Sequence, residues 1–292
     1  MRASASSRDD SGSCRSLKKY LDNMFKTFVI NLDKDKERMD FMSQQLVNCE
    51  IPYHRQSAVY GKDYRASYVE YDEAGAIAKT GHALLPGELG CALSHAKVYE
   101  QIVREEIPFS LILEDDVELP SNFKHIVNRM ITEQGKTNFE YLLFDYVPVG
   151  LPFLKQWFRS VRVRVNNEFQ YSLPRATLTA LYAIFKIPYI VPLAIFEGCR
   201  DGVMYETGGP VRFLRPVYFA GAYLLTLQGA KKLHSLTKPI LYTADQLPNR
   251  ARIINKLRFF CYAPLSVKQL KTTFGSSILD VAGKDMKCGY EK

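Results

Sequence analysis

The feature that most restricts this chain is an apolar run of strand length, Phe25–Leu32 (FKTFVINL), followed at once by a segment with helical spacing. The run is rich in β-branched and aromatic residues, which suit a buried pleated strand. Behind it, Lys34–Val47 carries Met39, Met42, Leu46 and Val47 at helical intervals with charges between them. A buried strand feeding an amphipathic helix is the usual opening of an α/β nucleotide-binding domain. The 292 residues suffice for one large domain of this kind or two small ones.

The alternation continues downstream. Ile51–Ala58 reads as a short strand leading to Gly61, and Tyr64–Leu85 as loop. Pro86–Glu105 is predicted helical, with Leu89, Leu93, Ala96, Val98 and Ile102 among polar positions, and Pro108 breaks it. Phe109–Leu113 is a second apolar run, ending in Glu114-Asp115-Asp116. A helix is expected over Phe123–Met130, a strand over Glu140–Tyr146, a buried strand within Val217–Leu227 and a helix over Gln228–Leu236. Phe259–Leu270 is strand-like, and no internal repeat is apparent. Met1–Asn23 is polar and lacks the apolar core of a signal peptide, so residues 1–23 are expected to form a flexible tail before a domain spanning 24–292. Met24, directly before the first strand, is a candidate for the true start, which N-terminal sequencing of the native protein would settle.

The middle differs in character. Leu151–Val165 mixes bulky apolar residues with Lys155, Arg159, Arg162 and Arg164, and Ala176–Phe196 is nearly all apolar. A spanning helix needs about 20 apolar residues, but Lys186, Pro188 and Pro192 argue against a simple span. Two readings of residues 151–200 stand side by side. One is an interfacial insertion on an anionic inner leaflet, with its arginines against lipid phosphates; the other is a helix buried in the domain or a dimer.

Charge and cysteine narrow the function classes. Lys plus Arg exceed Asp plus Glu by 39 to 31, which favours anionic partners: phosphorylated substrates, an acidic membrane or nucleic acid. Nucleic acid is disfavoured, since no recognition helix, RNP motif or zinc spacing is recognisable. The six cysteines, at 14, 49, 91, 199, 261 and 288, form no CxxC pair and stand near no metal-type histidine. That spacing fits reduced thiols in a cytoplasmic protein.

Three acids at the end of a buried strand are costly unless something positive compensates them. A divalent cation would do so, carboxylate oxygens being hard ligands suited to Mn2+ or Mg2+. In extended chain Glu114 and Asp116 project to one face and Asp115 to the other. The same three residues also suit a helix N-terminus by charge and capping.

FVINLDKDKERMDFM, GELGCALSHAKVYEQIV, LILEDDVEL and GAYLLTLQGAKKL occur in that order. With these motifs the chain resembles glycosyltransferase family 25, the lipopolysaccharide-type galactosyltransferases that also include collagen galactosyltransferases. The resemblance runs from about Met24 to Ile278. It implies an α/β fold of the GT-A-like, Rossmann-type nucleotide-diphospho-sugar transferase kind, here with a basic apolar helical insertion. It further implies an inverting transferase that moves a hexose, galactose first among the candidates, from a UDP-sugar to a lipopolysaccharide, lipooligosaccharide or related glycan. UDP-GlcNAc and UDP-glucose remain alternative donors, and a non-catalytic membrane-docked protein the alternative class. By the resemblance, Ile30, Asn31, Arg38, Ser94, His95 and Asp115 would meet the donor, and Glu114 and Asp116 would hold Mn2+ or Mg2+. Asp245 would act as the base, with Asp145 and Glu206 in reserve; its residue type equally suits a helix N-cap. Gly221, Ala222 and Tyr223 would line the acceptor side. Tyr60 departs from the family's usual AxDG, where this chain reads Ala58-Val59-Tyr60-Gly61. The expected location is cytoplasmic, with peripheral attachment to the inner membrane's cytoplasmic face.

Overall fold

The computed structural model describes residues 25–63, 70–146, 177, 181, 208–212, 216–263 and 266–270. The N-terminal tail, nearly all of residues 151–200, and Glu206 lie outside the described residues. Strands β1 (Phe25–Asn31), β2 (His54–Ser57), β3 (Phe109–Glu114), β5 (Tyr141–Leu143), β6 (Gly209–Val211), β7 (Ala222–Thr226) and β8 (Phe259–Ala263) form a seven-stranded sheet in the order β2-β1-β3-β7-β5-β8-β6. Strands β4 (Val117–Glu118) and β9 (Lys268–Gln269) form a small antiparallel pair beside it. β1 pairs in parallel with β2 and β3, β5 pairs in parallel with β8, and β7 runs antiparallel between β3 and β5. The sheet is therefore mixed, not largely parallel.

Helices cover both faces, which is why the strands read as continuous apolar runs and not as alternations. Phe28, Ile30, Ile112, Tyr141, Leu143, Tyr223 and Leu225 point to one side. There they meet α3 (Pro86–Arg104), α6 (Leu227–His234) and α7 (Gln246–Ile254), through residues such as Tyr99, Ile102, Leu233 and Leu247. Val29, Leu111, Leu113, Leu142, Phe144 and Leu224 point to the other side. They pack on α1 (Lys36–Asn48) and α4 (Phe123–Thr132), which is followed by the short α5 (Gln134–Thr137).

The region read as loop over Tyr64–Leu85 contains helix α2 (Glu73–Thr80). Its signals are local: the Asp72 carboxylate accepts from Gly75 N, and Gly81 ends the helix at φ +90°. With α1 on one face and α3 on the other, the chain winds in opposite senses either side of β1. The crevice beyond the carboxyl ends of β1 and β3 is where an open α/β sheet places its ligands. Among the described residues no helix is long and apolar enough to cross a membrane.

Candidate active site

Strand parity sorts the acids. Asn31 and Asp115 follow Val29 and Leu113 onto the α1 face, while Glu114 follows Ile112 onto the α3 face. Asn31 Nδ2 donates to Asp115 Oδ2 at 2.6 Å and to the Asp35 carbonyl at 2.9 Å, and Arg55 Nε donates to Asn31 Oδ1 at 2.9 Å. Arg38 Nη2 stands 2.7 Å from Asp115 Oδ1 and 2.9 Å from Asp116 Oδ2. The turn after β3 brings Asp116 back to the arginine that Asp115 already faces. Glu114 and Asp116 thus have different partners despite their i, i+2 spacing, because the chain does not stay extended past Glu114. Burial pushes the Asp115 carboxyl up to about 6, against the opposing pull of Arg38 and Asn31.

On the other face, Glu114 Oε1 lies 3.2 Å from His95 Nε2 and 3.5 Å from Cys91 Sγ. His95 Nδ1 meets the Tyr223 hydroxyl at 2.7 Å, and Tyr223 donates to Tyr99 at 3.0 Å. Burial works to raise the Glu114 carboxyl, but hydrogen bonding and charge from His95 and a bond from Cys91 hold it below its ordinary value. Burial pushes the Cys91 thiol well up, and the charges of Glu114, Asp245 and Asp116 push in the same direction.

Several expected contacts take another form. Arg38, expected to meet a nucleotide, is held by the two acids. Ile30 is buried in the core. The Ser94 hydroxyl donates to Gly90 O at 2.6 Å and accepts from Val59 N at 2.8 Å, so it pins the Ala58–Gly61 loop to α3 and is not turned toward a sugar. That loop packs backbone to backbone: a Cβ on Gly61 would lie 1.6 Å from Pro86 O, and one on Gly90 2.6 Å from Val59 O. Tyr60 departs from the family pattern but has a local partner, Lys34 Nζ, 4.8 Å from its ring centre.

The acceptor-side residues are also occupied. Tyr223 is fully buried, 4.6 Å from the Tyr141 ring and 5.7 Å from that of His95, and presents no stacking face. Ala222 is buried between β3 and β5. A Cβ on Gly221 would lie 2.5 Å from Asp145 Oδ2 and 2.7 Å from Gln269 Nε2, so the close approach this glycine allows serves protein groups, not a sugar. Asp145 is itself buried and accepts from Gly221 N at 2.8 Å and Ala222 N at 3.0 Å. Desolvation pushes its carboxyl well above the usual range, and it braces the strand instead of serving as a reserve base. Asp245 stands at the N-cap position of α7 without a side-chain bond to the helix, and its carboxylate is held by Thr243 Oγ1.

Cys91 and His95 correct a sequence-level expectation. One helical turn apart on α3, they face Glu114 together, and their ligand atoms and a Glu114 oxygen lie within 4.8 Å of one another. The i, i+4 spacing was the available signal; what concealed it was that the third member comes from a strand.

A profile described as glycosyltransferase family 25 (LPS biosynthesis protein) matches residues 24–175, more than half of the chain. The chain belongs to glycosyltransferase family 25. Mouse procollagen galactosyltransferase 2 is 30% identical over 132 residues, covering 43% of this chain and 21% of that protein. The mouse inactive glycosyltransferase 25 family member 3 is 28% identical over 175 residues, 57% of this chain and 27% of the relative. The chain thus spans under a third of the length of these curated family 25 relatives. A solved glycosyltransferase involved in glycosylation of the major capsid of PBCV-1 aligns with a TM-score of 0.40 at 10% identity, over 88% of this chain and 95% of that one.

Proposed function

We propose that this family 25 member is an inverting transferase, moving galactose from UDP-galactose to a lipopolysaccharide, lipooligosaccharide or related surface glycan. The observation that carries this reading is the convergence of Asn31, Arg38, Glu114, Asp115 and Asp116 where β1 and β3 end, with Asp245 near enough to act electrostatically on the same spot. A crevice rich in carboxylates, with an arginine among them, suits a cation and a diphosphate together.

Glu114 and Asp116 supply hard carboxylate oxygens of the kind Mn2+ or Mg2+ takes, and to share one ion Asp116 would exchange its Arg38 contact for it. Bound there, it would act as a Lewis acid on the departing diphosphate. Arg38 offers a planar fork of donors beside it, suited to phosphate oxygens as well as to the carboxylates it now holds. Asn31 keeps Asp115 in place from the neighbouring strand. Asp245 is the group we assign to take the proton from the attacking acceptor hydroxyl. Although Asp245 is the N-cap of α7, its carboxylate makes no bond to that helix.

The decisive experiment is a donor screen reading UDP release with manganese, wild type beside Asp116→Ala. UDP release from UDP-galactose that Asp116→Ala abolishes supports the reading; release with no UDP-sugar sinks it. Similarity to relatives named inactive favours one second reading, a non-catalytic member that keeps the fold. UDP affinity by calorimetry without turnover would identify it. We also propose that residues 151–200 dock on an anionic inner leaflet; unchanged sedimentation with anionic liposomes after their deletion would remove that element.

A further inference from the structure

We infer that Cys91, His95 and Glu114 form a binding site for a borderline-soft divalent cation of the zinc class, distinct in chemistry from the carboxylate pair assigned to manganese or magnesium. The inference does not rest on the transferase reading, since it concerns occupancy and not turnover.

The argument begins with the hydroxyl chain behind the site. Tyr223 donates its one proton to Tyr99, so it can only accept from His95 Nδ1. With Nδ1 set to donate to Tyr223, Nε2 is the ring nitrogen turned toward Glu114. It faces Glu114 Oε1 at 3.2 Å, and an ionised carboxylate is acceptor-only. A proton shared by that pair satisfies it, as a metal ion bound by both would. The third member is what admits a metal in place of the proton. Cys91 Sγ is 3.5 Å from the same carboxylate oxygen, and the three ligand atoms lie within 4.8 Å of one another. Ligands about 2.0–2.3 Å from a tetrahedral ion stand about 3.3–3.8 Å apart, close to the 3.2 and 3.5 Å that separate His95 Nε2 and Cys91 Sγ from Glu114 Oε1.

The surroundings agree. His95 is buried, and its Nδ1–H is held by Tyr223, the outer-shell partner that fixes the tautomer of a ligating histidine. Glu114 is partly exposed, which leaves an approach from solvent. Asp116 and Asp245 add negative charge felt at Cys91. A thiolate, an imidazole and a carboxylate together match zinc's ligand set, and magnesium or calcium would not choose a sulfur. On binding, the Cys91 thiol gives its proton to solvent and a sulfur–metal bond takes its place. The contacts of Glu114 with Cys91 and His95 are exchanged for bonds to the ion. Because Glu114 belongs to both sites, an ion here would compete with the carboxylate-bound cation.

The test loads metal-free full-length protein with Co2+ and Zn2+. Cobalt bound through Cys91 gives a near-ultraviolet thiolate-to-metal charge-transfer band. We expect that band in wild type, its loss in Cys91→Ser, and zinc affinity lowered about 10–100-fold in Tyr223→Phe. A second measurement needs no variant: zinc should protect Cys91 of wild type from iodoacetamide, read on its own peptide by mass spectrometry. Cobalt binding without the band, a band that survives Cys91→Ser, or a Cys91 alkylated equally with and without zinc would each overturn the assignment.

Discussion

The two faces of the β3 tip solve the same problem in different ways. On the α1 face, Asp115 and Asp116 share Arg38, a permanent cation. On the α3 face, Glu114 is met by His95 and Cys91, whose protons can be given up. On the first face one arginine serves two carboxylates, and burial still pushes Asp115 up to about 6. On the second, Glu114 meets two groups that could also serve as metal ligands. Removing Arg38 should therefore act most on stability, and removing Glu114 most on cobalt or zinc binding.

The largest expected effect tests the permanent pairing. Arg38→Met should cost about 3–5 kcal/mol in urea unfolding, since it strands two largely buried carboxylates. Adding Asp115→Asn should recover at least about 1 kcal/mol, because the two changes share one interaction. A loss below about 1 kcal/mol for Arg38→Met would break the contrast between the faces.

Next comes the brace behind the second face. Asp145 holds Gly221 N and Ala222 N, and Gly221 O accepts from Glu114 N at 2.7 Å. Asp145→Asn puts an amide N–H against one of those backbone N–H groups, at a cost of about 1–3 kcal/mol. Thermal unfolding reads it, and an unchanged midpoint would show that the carboxyl does not serve as an acceptor there.

Smaller still, Glu114→Gln should cost about 1 kcal/mol or less, as one charge-assisted contact gives way to a neutral one. Cobalt or zinc binding should fall steeply in the same protein. A stability loss matching that of Arg38→Met would erase the distinction.

The smallest effect lies at the far end of α3, where the exposed Lys26–Glu105 pair serves as a surface reference. Hydrogen bonding from Lys26, then Gln101, holds the Glu105 carboxyl down at about 2. A depressed carboxyl lends stability that is present above its unfolded range and lost as pH falls toward that value. Screening keeps the amount slight. The difference in thermal midpoint between wild type and Lys26→Ala should shrink on acidification, and a constant difference would contradict it.

Much of the frame could be read from residue order. Phe25–Leu32, Pro86–Glu105 and Phe109–Leu113 lie within a residue or two of β1, α3 and β3, since continuous apolar runs and helical spacing survive any tertiary context. Helix α2 escaped notice because its signals are a cap and a terminal glycine, with only Ala76 buried. The antiparallel setting of β7 also lay beyond local pattern, because a strand buried on both faces reads alike in either direction.

Residue types along the chain determined that three acids would end a buried strand and that something positive had to meet them. Only the tertiary structure decided which group meets which acid. Sheet parity sends Glu114 to one face and Asp115 to the other, and the turn returns Asp116 to Arg38. The hydroxyl of Ser94, the ring of Tyr223 and the bare Cα of Gly221 could each have served a sugar by type. Packing closed that option by giving every one of them a protein neighbour. Spacing along a chain says which side chains share a local face, but partners more than a hundred residues apart, as His95 and Tyr223 are, meet only when the sheet has formed.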